Sequence, residues 1–405
     1  MWLRAEWSNV MSKITLPLFA IPIIGIMTAN AGISSDMYLP AFPAVAKDFD
    51  VSPSSVQTSL SVFFIGFGIG QIFYGPISDS IGRKWVILIG LLSYGILSAL
   101  CAVSTSIDFF IGFRFFQGFA GAAGAVLGRA IIRDVFDGAE LAKAMSLLML
   151  VLTAGPMMAP LIGSFFLELS GWRSIFWVLA LYGVLWCILI LLIIPETLKK
   201  ENQRPFKLYD LVQSFSMVLK HKSAMGYTLC VAFGFATLFA YITATPFIYM
   251  NIYGVTPKEY AIFFAVNVGA MALFTVINRK IVDRFTLNNL LKIWTWVLVL
   301  ASSALLLGIY TNYAGVWGLA VPLFFIIGSL SPIAANGISG CLRPFAHNAG
   351  MASSVFGVFQ FGGGGLIGAI IAQLNDGTAH PLGLVIISCA VTSFLVLRLM
   401  NRNDV

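Results

Sequence analysis

Long apolar runs separated by short polar connections dominate this sequence. A helix needs about 20 mostly apolar residues to cross the hydrocarbon core of a bilayer. Runs of that length predict twelve membrane-spanning helices, at residues 14–39, 55–77, 86–104, 107–130, 143–168, 173–195, 224–249, 259–278, 288–310, 314–338, 348–373 and 382–399. The pattern therefore predicts an all-α integral membrane protein.

One connection is much longer than the others and lies near the midpoint of the chain, at 196–223. It carries nine charged residues, and apolar residues recur in it at helical spacing, at Leu208, Leu211, Val212, Phe215 and Leu219. This pattern predicts an amphipathic helix that lies along the membrane surface. The chain then divides into a six-helix half at 1–195, a cytoplasmic amphipathic linker at 196–223 and a six-helix half at 224–405. Two such halves are a common plan for transporters, with substrate bound between them.

Composition supports lipid as the solvent and excludes several classes of protein. The chain has 405 residues, of which 59% are hydrophobic and 10% are charged. A soluble domain is nearer 45–50% apolar and about 25% charged, so a cytosolic or secreted globular protein is excluded. The five cysteines are scattered singly, and the three histidines lie in polar connections without ligand spacing. We therefore expect no disulfide framework and no metal site.

The placement of the basic residues predicts the orientation in the membrane. With both termini in the cytoplasm, 20 of the 24 Lys and Arg residues lie on the cytoplasmic side. Only Lys47, Arg173 and Lys258 lie outside, and Arg114 falls within a span. The opposite orientation would invert this ratio and break the positive-inside rule. The same placement explains the net charge of +7 without a nucleic-acid partner.

Two ionisable residues lie clearly within predicted spans, and both are candidates for proton coupling. Asp36 lies in the first span and Arg114 in the fourth, each about 10 Å below the outer edge at 1.5 Å per residue. A charge in hydrocarbon is costly, so such residues usually serve a function. The similar depths predict that Asp36 and Arg114 share one cavity, as an ion pair or through a ligand.

Aromatic and amide side chains within the spans are candidates for lining a substrate cavity between the halves. Aromatic residues form 14% of the chain, whereas polar residues inside the spans are few. The predicted lining consists of Tyr38, Gln117, Phe239, Tyr241, Asn267, Asn336 and Gln360. The small number of polar groups favours an amphipathic substrate over a polar solute.

Several motifs resemble a known family. They are GPISDSIGRK at 75–84, RFFQG at 114–118, GPMMAPLIG at 155–163, SSDMYLPAFP at 34–43 and IPETL at 194–198. The first three are similar to signatures of the major facilitator superfamily, in its cytoplasmic loop, its proton-coupled members and its exporters. The last two resemble the bicyclomycin-resistance (Bcr/CflA) subfamily of drug:proton antiporters.

The resemblance implies a major facilitator fold of twelve helices with alternating access, and it implies roles for individual residues. Asp36 would carry the proton, with Arg114 as its partner. A cytoplasmic gate loop would consist of Gly75, Asp79, Gly82, Arg83 and Lys84. Its charged members would form a latch that holds the outward-facing state. An exporter-type motif in the fifth span would consist of Gly155, Pro156, Pro160 and Gly163.

We therefore expect a multi-pass, monomeric antiporter in the bacterial inner membrane that exports small amphipathic drugs or antibiotics. Protons would drive it, with no cofactor. The alternative is an exporter of an endogenous metabolite, such as a siderophore, small peptide or amino acid, on the same scaffold. A proton-coupled uptake permease ranks below both because the spans offer few hydrogen-bond partners. No GxxxxGK[ST] motif and no nucleophile–base pair occur in the sequence, so we expect no enzyme activity.

Overall fold

The structure is a computed structural model that describes residues 19–203 and 205–401. Within this part of the chain the regular structure is helical and no strand occurs. The predicted all-α membrane fold is confirmed. Of the helical stretches described, eleven are long and apolar enough to cross a membrane.

The first half of the molecule contains eight helices among the described residues. They are α1 (Ala20–Thr28), α2 (Asn30–Asp36), α3 (Phe42–Asp48), α4 (Pro53–Ile81), α5 (Arg83–Val103), α6 (Ile107–Val135), α7 (Gly138–Ser170) and α8 (Trp172–Ile193). A 3-10 turn, Leu39–Ala41, joins α2 to α3.

The linker and the second half follow in the same manner. They comprise α9 (Leu208–Lys220), α10 (Lys222–Phe247), α11 (Pro257–Ile281), α12 (Leu287–Thr311), α13 (Val316–Leu342), α14 (Ala349–Gly357), α15 (Gly363–Gln373) and α16 (His380–Met400). A π-helical segment, Ile248–Ile252, extends α10, and another, Val358–Gly362, joins α14 to α15 into one crossing. The remaining short segments are 3-10 turns at Lys200–Asn202, Val282–Arg284 and Arg343–Asn348.

The first predicted span departs most from a single long helix. Its residues 14–18 lie outside the described residues, and the remainder forms α1, α2 and the turn Leu39–Ala41. Ala29 separates the two helices with ψ near 0°. Pro40 lies in the turn and cannot donate a backbone hydrogen bond, so the helix does not continue through it. The break places Asp36 at a helix end.

The linker helix α9 forms as predicted, but its apolar residues divide between two environments. Leu211 and Val218 are buried against the bundle, whereas Leu208, Val212 and Leu219 are exposed. The exposed three lie on one face because they are spaced by four and seven residues. Contact of this face with the membrane surface stays a prediction, as does the division of the chain into halves at 195 and 224.

Glycines allow two helices of the first half to cross at backbone contact. A Cβ on Gly118 of α6 would collide with the carbonyl oxygen of Phe63 in α4, and one on Gly66 would collide with the carbonyl oxygen of Phe115. Each glycine thus accepts the backbone of the other helix. Close approach of this kind is a common way for membrane helices to pack.

We expect Gly118→Val to prevent stable assembly, because its side chain meets backbone atoms that cannot move without separating α4 from α6. The loss should be at least about 3 kcal/mol, above the usual range for overpacked cores. Fluorescence-detected gel filtration and thermal unfolding in detergent measure it. The matched control is Gly112→Val on the same helix, where a Cβ meets no atom within 4 Å. Equal behaviour of the two variants would contradict this packing.

The two ends of the bundle differ in charge and in how the halves meet. At the end that we call basic, the connections carry Arg83, Lys84, Lys199, Lys200, Lys207, Arg284 and Arg343. At the opposite end, which we call the far end, the halves are joined by the rings of Phe42 and Phe247, 5.8 Å apart, and by a hydrogen bond from Asn375 to Gln57. The cytoplasmic location of both termini stays a prediction, since residues 1–18 and 402–405 lie outside the described residues.

Candidate functional site

A cavity of about 510 Å³ lies between the two halves of the bundle. The first half contributes residues of α1, α2, α4, α6 and α7, and the second half contributes α10, α11, α13, α14 and the segment after it. Most of its surface is apolar. Its aromatic lining consists of Phe64, Phe67, Phe235, Phe239, Phe264, Phe356 and Phe361.

Exposure of the lining residues shows where the cavity opens. Asp36, Phe64 and Phe264 are buried at the far end of the cavity. Arg129 and Met149, which lie nearer the basic end, are exposed. The cavity is therefore closed towards the far end and accessible from the basic end.

Asp36 is the one carboxylate among the described residues that line the cavity. It is the last residue of α2 and accepts a hydrogen bond of 2.7 Å from Ser35 Oγ. The lining also includes Phe239 and Phe264 of the second half. Asp36 thus lies at the closed end of the cavity, where the two halves meet.

Arg114 lies outside the cavity lining, in a fully buried cage of aromatic rings. Its guanidinium carbon is 4.3 Å from the centre of the Phe63 ring, 5.1 Å from that of Tyr38 and 5.6 Å from that of Phe176. Arg114 Nη1 donates a hydrogen bond of 2.6 Å to Gln117 Oε1. The arrangement holds a cation by cation–π attraction rather than by an opposite charge.

No carboxylate forms an ion pair with Arg114 within the described part of the chain. Its Nε and Nη2 atoms have no hydrogen-bond partner there either. Asp36 and Arg114 are therefore not paired in this structure. Tyr38 connects them, since it lies two residues after Asp36 and its ring faces the guanidinium.

A second polar cluster holds the corner between α4 and α5 at the basic end. Arg83 Nε forms an ion pair of 3.1 Å with Asp134, and Arg83 Nη1 contacts Asp79 and Ser78. Glu196 accepts hydrogen bonds of 2.9 and 3.1 Å from the backbone N–H groups of Arg83 and Lys84. A carboxylate in this position neutralises the positive end of α5.

Two glycines and Lys84 complete this corner. Gly82 has φ of 102°, a conformation that side chains resist, so the tight turn from α4 into α5 requires glycine. The Gly75 carbonyl accepts from Ser78 Oγ at 2.7 Å, and Lys84 Nζ donates to the Leu191 carbonyl at 2.9 Å. Apart from Glu196, the first residue of the linker, each partner in this network belongs to the first half.

Comparison with known proteins identifies the family. The profile of the Major Facilitator Superfamily matches residues 24–369. The chain belongs to the Major Facilitator Superfamily. Membership confirms the resemblance seen in the motifs and makes this major facilitator a multi-pass membrane transporter rather than an enzyme.

Relatives and solved structures agree with this assignment. The major facilitator is 35% identical to a bicyclomycin resistance protein homolog of Haemophilus influenzae, over 92% of this chain and 93% of the relative. It is 27% identical to the multidrug resistance protein MdtL of Shigella flexneri, over 96% and 95% of the two chains. The fold matches the xylose transporter XylE from E. coli with a TM-score of 0.69, at 15% identity over 95% of this chain and 97% of the other. It also matches the nucleoside transporter NupG with a TM-score of 0.73, at 15% identity over 94% and 98%.

Three of the predicted cavity and motif residues line the cavity together with Asp36. They are Pro156, Phe239 and Gln360. Gln360 lies in the π-helical segment Val358–Gly362. Phe239 packs edge-on against Phe64 with ring centres 4.6 Å apart, which brings the second half onto the first.

The other predicted cavity residues are absent from the lining. Gln117 donates a 2.7 Å hydrogen bond to Ser98 and accepts the one from Arg114, whereas Tyr38 closes the aromatic cage. Tyr241 accepts a hydrogen bond of 3.0 Å from Asn267.

The amide side chains predicted on α11 and α13 are absent from the lining of the central cavity. Asn267 lines a separate groove, between α11 and α13 near Trp317. Asn336 donates to Asn278 Oδ1 at 3.1 Å, and Trp294 donates to the same oxygen at 2.8 Å. These pairs satisfy the amide groups inside the second half.

The motif of the fifth span fastens α7 to the first span. Gly163 leaves room for the Met37 carbonyl, and Gly155 faces Ala29. Pro156 packs against Gly32 one turn before Asp36, and Pro160 is buried. The motif thus supports the segment that carries Asp36.

Sequence reasoning missed two residues of this site. Arg129 lines the cavity, although the positive-inside pattern counts it among the basic residues of the cytoplasmic side. The helix continues to Val135, which draws Arg129 into the bundle. Glu196 caps α5, and the only signal for this residue in the sequence is its place in the IPETL motif.

We expect Asp79→Asn to lower the maximal transport rate about threefold to fivefold without changing which compounds are transported. The variant weakens a half-exposed ion pair with Arg83, and such pairs contribute about 1 kcal/mol or less. Initial rates over a range of substrate concentrations measure the effect. Asp137→Asn, in the exposed connection after α6, is the matched control. A changed substrate spectrum in Asp79→Asn would count against a role in the gate.

Proposed function

We propose that this transporter is a proton-coupled antiporter that exports small amphipathic drugs or antibiotics across the bacterial inner membrane by alternating access. The observation that carries the proposal is a single carboxylate, Asp36, at the closed end of an apolar cavity between the halves. The names of the relatives, a bicyclomycin resistance protein homolog and a multidrug resistance protein, support the substrate class. We further propose that it works as a monomer with no cofactor.

Proton binding and substrate binding would exclude each other at Asp36. A charged carboxylate in an apolar cavity is costly, so the empty cavity favours a protonated Asp36. An amphipathic substrate that offers a hydrogen-bond donor or a positive charge near Asp36 favours the ionised form. Binding from the cytoplasm would then release the proton to that side.

Movement of the halves would carry substrate outward. In this structure the halves meet at the far end through Phe42, Phe247, Gln57 and Asn375, and the cavity is accessible from the basic end. Under the positive-inside rule the basic end faces the cytoplasm. Separation of the far-end contacts and closure at the basic end would expose Asp36 to the outside, where it would take up the next proton.

A second candidate function is export of an endogenous metabolite on the same scaffold. Arg129 favours it, because this cation lines the cavity and many metabolites carry an acidic group. The direction of transport and the use of protons would be unchanged. The two candidates differ only in the substrate that the cavity has been selected to bind.

Growth inhibition of a bacterial strain that lacks its own efflux pumps tests the proposal. The strain would express the wild-type protein or Asp36→Asn and be challenged with bicyclomycin, phenicols, sulfonamides and cationic dyes. Resistance that Asp36→Asn abolishes, at equal membrane expression, is the expected result. Resistance that survives in Asp36→Asn would support export as the function but would contradict Asp36 as the proton site. No resistance despite good expression would favour the metabolite exporter.

A further inference from the structure

Arg129 places an accessible cation in the central cavity. It lies near the end of α6, lines the cavity and is exposed there, although the helix itself is packed inside the bundle. Arg114, on the same helix, is by contrast fully buried among rings and is absent from the lining. Of these two arginines, Arg129 is therefore the one that a ligand can reach.

The guanidinium of Arg129 forms few interactions with the described part of the protein. Its Nε donates a hydrogen bond of 3.1 Å to the Ala125 carbonyl, one turn earlier on the same helix. In the described part of the chain no carboxylate lies within ion-pair distance of Arg129. A guanidinium offers five N–H donors in a planar fork, so its terminal nitrogens remain available to an anion.

Asp36 is too far along the cavity to be that anion. A Cβ on Gly128 would collide with Thr28 Oγ1, which puts Arg129 at about the level of Thr28 on the first span. Asp36 follows eight residues later, and a rise of 1.5 Å per residue gives a separation of about 12 Å along the axis. The cavity thus has a carboxylate at its closed end, a guanidinium towards its open end and aromatic rings in its lining.

We propose that Arg129 is the anion-binding subsite of the cavity and that the substrates are small amphipathic molecules with one acidic group for Arg129, a carboxylate in the simplest case, and a hydrogen-bond donor for Asp36. This inference rests on the proposed function, whose cavity it subdivides. The terminal nitrogens of Arg129 would hold the acidic group, because hydrogen bonds between a guanidinium and a carboxylate are strengthened by the opposite charges. The apolar body would contact rings such as Phe67 and Phe361, whose centres are 4.9 Å apart.

A pair of fluorescent probes that differ only in the acidic group tests the subsite. Dansylglycine carries a carboxylate, and dansylglycinamide carries a neutral amide in its place. Binding of each to the purified full-length protein in phosphatidylcholine nanodiscs is measured by the change in dansyl fluorescence. The wild-type protein should bind the acid about 10- to 100-fold more tightly, the range that hydrogen bonds to a charged group give.

Three variants identify the residue responsible. Arg129→Gln should remove the preference for dansylglycine and leave the affinity for dansylglycinamide within about twofold, since only the charged contact is lost. Arg129→Lys should restore part of the preference because it keeps the charge. Arg133→Gln, one turn further along α6, exposed and outside the cavity lining, is the matched control and should behave as wild type.

The outcomes separate this subsite from the proposed function. A wild-type protein that binds both probes equally, or neither, overturns the anion subsite, and so does a preference that survives in Arg129→Gln. If anionic phosphatidylglycerol in the nanodiscs abolishes the preference by competition, a lipid headgroup occupies Arg129 and the assignment to a small molecule fails. Failure of the anion subsite in any of these ways would not change export that depends on Asp36 in the growth assay. Conversely, if the growth assay showed no export that depends on Asp36, the proposed function would fail, and the preference for dansylglycine could still be observed.

Discussion

Asp36→Asn is expected to reduce substrate accumulation in inverted membrane vesicles to the level of vesicles without the protein. The change removes the one titratable carboxyl that the structure describes in the cavity lining but keeps the size of the side chain. The Asn oxygen can still accept the hydrogen bond from Ser35 Oγ that Asp36 accepts at 2.7 Å. Folding should therefore survive, and only the coupling to the proton gradient should be lost.

The control for Asp36→Asn is the same change at an exposed acid. Asp108, in the first turn of α6 at the far end, is exposed, and Asp108→Asn should accumulate substrate as the wild type does. Movement of substrate down its own gradient should persist in Asp36→Asn, because the cavity keeps its shape. Normal accumulation by Asp36→Asn would show that another group carries the proton.

Arg114→Met is expected to abolish transport while leaving the protein as stable as wild type or more so. Burial of an unpaired ion carries a penalty of several kcal/mol, which the three surrounding rings offset only in part. Removal of the guanidinium leaves Gln117 Oε1 without its donor, at a cost of about 1–3 kcal/mol. The balance predicts little or no loss of stability. Transport should fail because the cation that holds Tyr38, and through it the Asp36 segment, is gone.

Thermal unfolding in detergent and substrate accumulation, measured on the same preparations, test this prediction. Arg114→Lys keeps the charge but loses the planar fork, so it should retain part of the transport activity. Arg114→Ala should be inactive and less stable than Arg114→Met, because it also leaves a cavity. Equal transport by Arg114→Lys and Arg114→Ala would reduce Arg114 to a structural role.

The helices could be predicted from the sequence because the solvent is lipid. Each apolar run long enough to cross the bilayer must satisfy its backbone hydrogen bonds internally, and a helix does so. The observed helix ends differ from the predicted ones where the apolar run does not mark a clear boundary. The fourth span was predicted to end at 130, yet α6 continues to Val135 because basic residues near a membrane surface do not end a helix. The break at Ala29 lies within an uninterrupted apolar run, so hydropathy does not predict it.

The site could be predicted only in part, because the sequence does not show which face each helix turns inward. Asp36 stood out as an acid in hydrocarbon, and the structure places it in the cavity. Asn336 was an equally polar residue in a span, but its amide is satisfied by Asn278, far away in sequence. Gln117 is likewise occupied by Arg114 and Ser98. The Asn336–Asn278 and Gln117–Ser98 pairs join different spans, so a polar residue in a span is not enough to identify a cavity residue.

Proton movement driven by substrate in proteoliposomes is the most direct test of proton coupling at Asp36. Purified protein is reconstituted with a pH-sensitive dye inside, and a gradient of a compound to which it confers resistance is imposed without a pH gradient. The wild-type protein should move protons in the direction opposite to the substrate, and Asp36→Asn should move none. Substrate flux without proton movement in the wild type, or equal proton movement in Asp36→Asn, would contradict antiport through this carboxylate.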